Sequence, residues 1–119
     1  MTNKVMRPEY LACPIRQVVS RFGDKWSLLV LYTLYVKGKG NPLRYSDIKD
    51  EMLDCSPKML SATLKNLEKI ELVGRKVFAE VPPRVEYSLT ERGQSLMPSI
   101  ISLMTWARNN FDIAASKLK

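Results

Sequence analysis

Catalysis needs reactive side chains within reach of one another, and this chain withholds most of them. Histidine is absent from all 119 residues, which removes imidazole acid-base chemistry, histidine-based triads and the commonest metal ligand together. The two cysteines, Cys13 and Cys55, are too few for a structural zinc site or a disulfide scaffold. The five glycines are scattered, so neither a phosphate-cradling loop nor a GxSxG elbow is present. No pair of carboxylates stands out as an acid and base couple. The expectation is a chain without catalytic residues, metal or cofactor.

What remains is cationic. Lys plus Arg number 19 against 12 Asp plus Glu, giving a formal charge of +7 and a pI near 9.6. On a chain the size of one domain this balance favours an acidic partner such as nucleic acid, although many basic proteins bind none. A motif has to place the charge. At 100° per residue, Pro57 to Lys69 turns Leu60, Leu64 and Leu67 one way and Lys58, Lys65 and Lys69 the other, with Ser61 and Ala62 beside the lysines. Ser56 caps this segment and Pro57 suits its first position. Ahead of it, Tyr45 to Met52 reads as a short helix with Ile48 and Met52 on one side, and Leu53-Asp54-Cys55 as a tight connection. A short helix, a tight turn and a capped helix with an apolar rear and a small, basic front form a helix-turn-helix. An ordinary surface helix with a lysine-rich solvent face is the plainer alternative.

The next segment favours the first reading. Val73, Val77, Phe78 and Val81 lie in a β-prone run, Pro82-Pro83 interrupts it, and Val85, Tyr87 and Leu89 alternate with Arg84, Glu86 and Ser88. A hairpin directly after a recognition helix reads as a wing, with Arg75, Lys76 and Arg84 available to phosphates. An edge hairpin that merely completes the domain is the alternative, because prolines blunt an edge in either role. The candidates for double-stranded DNA are therefore Arg44, Ser56, Lys58, Ser61, Ala62, Lys65, Arg75, Lys76 and Arg84.

The positioning elements follow from caps and periodicity. With 45% hydrophobic and 26% charged residues, the composition is that of an ordinary globular chain, and one domain is expected over 1–119. Its N-terminal and core helices fall at about 13–37, the helix-turn-helix at 45–69, the wing at 72–89 and a C-terminal helix at 90–116. Pro14 opens a segment whose Ile15, Val18, Val19 and Phe22 recur at helical spacing until Gly23, and Asp24 caps a second helix over Lys25 to Val36. That helix is apolar on most sides and belongs at the centre. Lys37 to Pro42 is loop chemistry. Thr90 caps the last helix, in which Pro98 is read as a kink or early-turn residue.

Along that last helix Leu96, Ile100, Leu103, Ala107 and Phe111 form one stripe, and Met97, Ile101 and Met104 another. A face this wide points to pairing with a second copy, a broader intramolecular core being the alternative. The homodimer candidates are Leu96, Met97, Ile100, Ile101, Leu103, Met104 and Phe111. The most apolar stretch, Leu28 to Val36, falls short of the roughly 20 residues of a membrane span. With no apolar leader, no membrane association is expected and the cytoplasm is the expected location. The expected fold class is mainly α with a small β-hairpin: a winged helix-turn-helix with extra N- and C-terminal dimerisation helices.

Five strings in order resemble the HxlR family of bacterial and archaeal transcription regulators, over about residues 13–107. They are Cys13-Pro14, Asp24-Lys25-Trp26, Arg44-Tyr45-Ser46-Asp47-Ile48, Ser56-Pro57-Lys58-Met59-Leu60, and Val81-Pro82-Pro83-Arg84-Val85-Glu86-Tyr87-Ser88-Leu89-Thr90. The resemblance implies a homodimer placing two recognition helices on a pseudo-palindromic operator. It also implies a role for Cys13, since in some members the cysteine of this Cys-Pro motif responds to oxidants or electrophiles. The chain departs from the family at Glu71, where glycine is common, in a longer loop over 38–43, and at Cys55, where an aliphatic residue is usual. Cys55 is accordingly read as a small buried hydrophobe. No pattern identifies a small-molecule effector, and the alternative function is a winged-helix protein-interaction module without DNA affinity.

Overall fold

The computed structural model describes residues 8–111. In chain order its elements are α1 (Pro8–Leu11), α2 (Pro14–Arg21), α3 (Lys25–Val36), β1 (Leu43–Arg44), α4 (Tyr45–Glu51), α5 (Pro57–Lys69), β2 (Val73–Phe78), β3 (Arg84–Leu89) and α6 (Glu91–Asn110). Helices begin where a side chain supplies the missing acceptor. Ser27 N–H donates to Asp24 Oδ2 at 3.1 Å, Met59 N–H to Ser56 Oγ at 3.1 Å and Gly93 N–H to Thr90 Oγ1 at 3.0 Å. Thr90 also donates to the Glu71 carbonyl at 2.6 Å, tying the start of α6 to the turn that leaves α5. Pro98 lies well inside α6, past its first turn, and the expected continuation over 112–116 falls outside the described residues.

The core forms where α3, α5 and α6 meet. Val30, Leu31 and Leu34 of α3 bury against Leu60, Leu64 and Leu67 of α5, with Ile48 of α4 and Met97 and Ile100 of α6 completing the cluster. Two expectations for the homodimer surface are thereby corrected. Met97 is 0% and Ile100 8% exposed within a single chain, because α6 spends that part of its apolar face on its own core. Leu96 and Met104 are partly buried against the same cluster.

The sheet has three antiparallel strands in the order β1-β3-β2. Strand β1 lies partly in the stretch read from sequence as loop, and its Leu43 and Arg44 pair with Tyr87 and Glu86 of β3. On the other side Val73 pairs with Leu89, Arg75 with Tyr87, Lys76 with Glu86 and Phe78 with Arg84. Strand β3 is therefore central, and all its residues are half-buried rather than alternating. The hairpin's true edge is β2, where Arg75, Lys76 and Val77 are exposed.

The exit turn from α5 passes through Glu71 at φ 64°, a left-handed conformation that costs a side chain about 1–2 kcal/mol. The Glu71 carboxylate meets Arg92 at 3.6 Å, but both side chains are mostly exposed and such a pair returns little. Glycine at this position should therefore stabilise the fold. Glu71→Gly is expected to raise unfolding stability by about 1 kcal/mol in urea titrations, and an unchanged or lower midpoint would show that the turn is not strained.

Candidate nucleic-acid interface

Helix α5 is held from behind and open in front. Leu60, Leu64 and Leu67 are buried, with Thr63 between them, whereas Lys58, Ser61, Ala62, Lys65 and Lys69 are exposed. Its N-terminus is fixed to α4 by the Tyr45 hydroxyl, which donates to the Pro57 carbonyl at 3.2 Å. Ser56 also lies at the surface, but its hydroxyl is occupied as the helix cap. Between α5 and the wing runs a groove of about 300 Å³ lined by Ser61, Lys65, Glu68, Arg75 and Tyr87. Here the front of the helix and one wing cation face the same space.

The sequence candidates do not form one surface. Arg75 and Lys76 are neighbours on a strand, so their side chains leave opposite faces of the sheet. Arg75 pairs in register with Tyr87 and joins the α5 groove; Lys76 pairs with Glu86 on the other face. Arg44 also pairs with Glu86, from β1, and falls on the Lys76 side. Arg84 is on that side too and is not a free cation. Its Nη1 lies 3.2 Å from Glu80 Oε2 and its Nε 3.3 Å from Glu86 Oε2, and its guanidinium carbon sits 4.0 Å from the centre of the Phe78 ring.

Three residues of this region were not among the DNA-contact candidates drawn from the sequence. Glu68 and Tyr87 line the groove, and Met59 is 43% exposed on α5. Their helical and strand phases place Glu68 beside Lys65 and Tyr87 opposite Arg75, which the sequence could have shown. The exposure of Met59 depends on packing that no local pattern reports.

A helix-turn-helix followed by a wing, with the helix front and Arg75 across one groove, is a transcription-factor architecture. The family model of HxlR-like helix-turn-helix proteins matches residues 21–114. The chain belongs to the HxlR-like helix-turn-helix family. Within it, a helix-turn-helix transcriptional regulator of Methanothermobacter thermautotrophicus is 43% identical over 100 residues, covering 84% of this chain and 72% of its own. The redox regulator HypR in its oxidised form superposes with a TM-score of 0.74 at 31% identity, over 85% of this chain and 100% of that one. Reduced YodB, a transcriptional regulator from B. subtilis, gives 0.69 at 33% identity over 82% and 93%. This HxlR-like protein is thus a transcriptional regulator of the helix-turn-helix type and not an enzyme.

Its two thiols occupy opposite environments. Cys13 is half-buried at the N-cap of α2. The backbone N–H groups of Arg16 and then Ile15, at the opening of that helix, hold its thiol below the usual range, against a smaller opposing effect of desolvation. No hydrogen bond of capping geometry forms. Cys55 is 0% exposed, and burial pushes its thiol up, as befits a core residue. In this HxlR-like chain α2 itself buries no residue, leaving Ile15 72% and Val19 63% exposed. On α6, Leu103, Trp106 and Phe111 are likewise exposed, beside an apolar groove of about 410 Å³ to which Leu28, Leu29 and Tyr32 contribute. Among the described residues no helix is long and apolar enough to cross a membrane.

Proposed function

We propose that this regulator binds double-stranded operator DNA as a homodimer, each subunit laying α5 in a major groove of a pseudo-palindromic site. The observation that carries this reading is the small, basic front of α5 opposite Arg75 across one groove. Ser61, Ala62 and Lys65 approach base edges. Arg75, Lys76, Arg44 and Lys58 hold phosphates, which position the protein without reading sequence. The regulator works in the cytoplasm, where its target lies.

The homodimer rests on the apolar surfaces left over by the single chain. Ile15, Val18 and Val19 of α2 and Leu103, Trp106 and Phe111 of α6 are exposed, more than scattered surface hydrophobes require. Ile101, Leu96 and Met104 border this surface from the half-buried side of α6. Cys13 lies at its α2 edge, and its lowered thiol range together with the likeness to a redox regulator supports a further role. Oxidation or alkylation of Cys13 changes the separation of the two recognition helices and so the affinity for the operator.

Gel shifts with duplex DNA from upstream of the chain's own gene test the first claim. Lys65→Ala should weaken the specific complex by about 1–3 kcal/mol and relax preference at one or two positions, while Arg75→Ala should weaken all sequences alike and flatten the salt dependence. A protein-interaction module would bind no duplex at any salt, and two variants that match the parent would remove the proposed face. Sedimentation addresses the second: Leu103→Glu is expected to give folded monomers where the parent is dimeric at micromolar concentration, and a parent already monomeric would sink the interface. For the thiol, diamide should change the DNA affinity of the parent and leave Cys13→Ser unaffected. Equal affinities after mass spectrometry has confirmed modification of Cys13 would make it a structural residue.

A further inference from the structure

We propose that Arg84 serves DNA binding as the positioning residue of the wing, neutralising Glu80 and Glu86 and holding them in place, and that it makes no phosphate contact of its own. The inference rests on the DNA-binding reading above. Its ground is the enclosure of one guanidinium. Phe78 and Arg84 face each other across the hairpin, and the ring covers one side of the guanidinium at 4.0 Å. Glu80 takes the Nη1 edge at 3.2 Å and Glu86 the Nε edge at 3.3 Å. The Arg84 side chain is only 28% exposed, and its Nε is buried without an aligned hydrogen bond.

The two carboxylates matter because of where they stand. Glu80 belongs to the connection between β2 and β3, next to Val81, which is wholly exposed at the hairpin tip. Glu86 sits in the central strand between Arg44 on β1 and Lys76 on β2, exposed cations of this face, the second with its ammonium 5.0 Å from the centre of the same Phe78 ring. Without Arg84 the same face would present Glu80 unpaired, and Glu86 offset only by the register neighbours Arg44 and Lys76 that phosphate would otherwise engage, within the roughly 10 Å over which charges act at 0.1 M salt. Arginine suits this task because its planar fork reaches two carboxylates at once while stacking on an aromatic ring; the point charge of lysine does not.

A double-mutant cycle separates this role from direct contact. Binding to a fluorescein-labelled duplex from upstream of the chain's own gene is measured for the parent, Arg84→Gln, Glu80→Gln with Glu86→Gln, and the triple variant, with Lys65→Ala as the control for the recognition face. Arg84→Gln should weaken binding roughly tenfold in the parent background and less than about twofold once both carboxylates are gone, at about 50 mM salt where such charges are least screened. An equal or larger loss in the carboxylate-free background would mean that Arg84 touches phosphate, and would overturn the proposal. Circular dichroism checks that each variant folds. Should Arg84→Gln fail to fold, Arg84→Lys decides: a weakening of about fivefold or more supports the positioning role, and binding within about twofold of the parent, as lysine would achieve at a phosphate, overturns it. A parent that binds no duplex at any salt sinks the DNA reading and this inference with it. A parent that binds with equal losses in both backgrounds sinks the role of Arg84 alone.

Discussion

Leu60, Leu64 and Leu67, at 0, 1 and 0% exposure, seat α5 against the centre of α3, and that seat decides which side of the helix a partner can reach. Burying each leucine contributes about 1.5–3 kcal/mol, more than an exposed ion pair supplies. The helix cannot roll to present another face without giving this up. Everything outward of it follows: Lys58, Ser61, Ala62 and Lys65 are exposed because they are out of phase with the leucines. The wing stands beside them because Leu72 and Val73, buried at 5 and 1%, carry the chain from the back of α5 into β2. The Glu71 turn between them is strained, and the Thr90 hydroxyl holds its carbonyl. A packing constraint thus sets the geometry of a surface whose own contacts are mostly polar and weak.

The same logic explains how much could be read in advance. Helices α3 and α5 were legible to the residue, since Asp24, Ser56 and Pro57 mark their starts through short-range hydrogen bonds and fixed backbone angles. Strand β1 was not. It is two residues long; Arg44 is extended locally as the cap of α4, but the pairing that makes the segment a strand comes from β3, distant in the chain. Periodicity showed that α6 has a wide apolar face but not what lies opposite; part of that face, at Met97 and Ile100, meets the chain's own core. Arg84 illustrates a further limit. A cation count treats all arginines alike, whereas the availability of this one depends on two carboxylates and a ring brought together by the hairpin.

A chain with a formal charge of +7 could be expected to keep acidic residues away from its wing, yet Glu86 occupies the central strand among Arg44, Lys76 and Arg84. Cations crowded on one sheet face repel one another, and a half-buried carboxylate between them lowers that cost. The arrangement also orders long side chains that would otherwise lose entropy on meeting DNA. Wing charge in this fold is therefore organised rather than merely accumulated. Arg75, on the opposite face, is exempt from this network and shares its groove with Lys65 and Glu68.

Helix α2, which starts directly after Cys13, buries none of its own residues. At its C-terminal end it is tied to the rest by Phe22, packed against the core just past its end, and by the Asn66 side-chain amide of α5, which donates to the Arg21 carbonyl at 3.0 Å. Cys13 sits at the other end of the same 8-residue helix, roughly 12 Å away along its axis. A helix that short moves as a rod. On the redox reading, a modification that displaces the N-terminus of α2 therefore needs no long pathway to be felt, because the far end of the rod is hydrogen-bonded to the recognition helix itself. The physical requirement is that a displacement at the Cys13 end reach the Asn66 end, and the core contact of Phe22 and the Asn66 bond both lie at that second end.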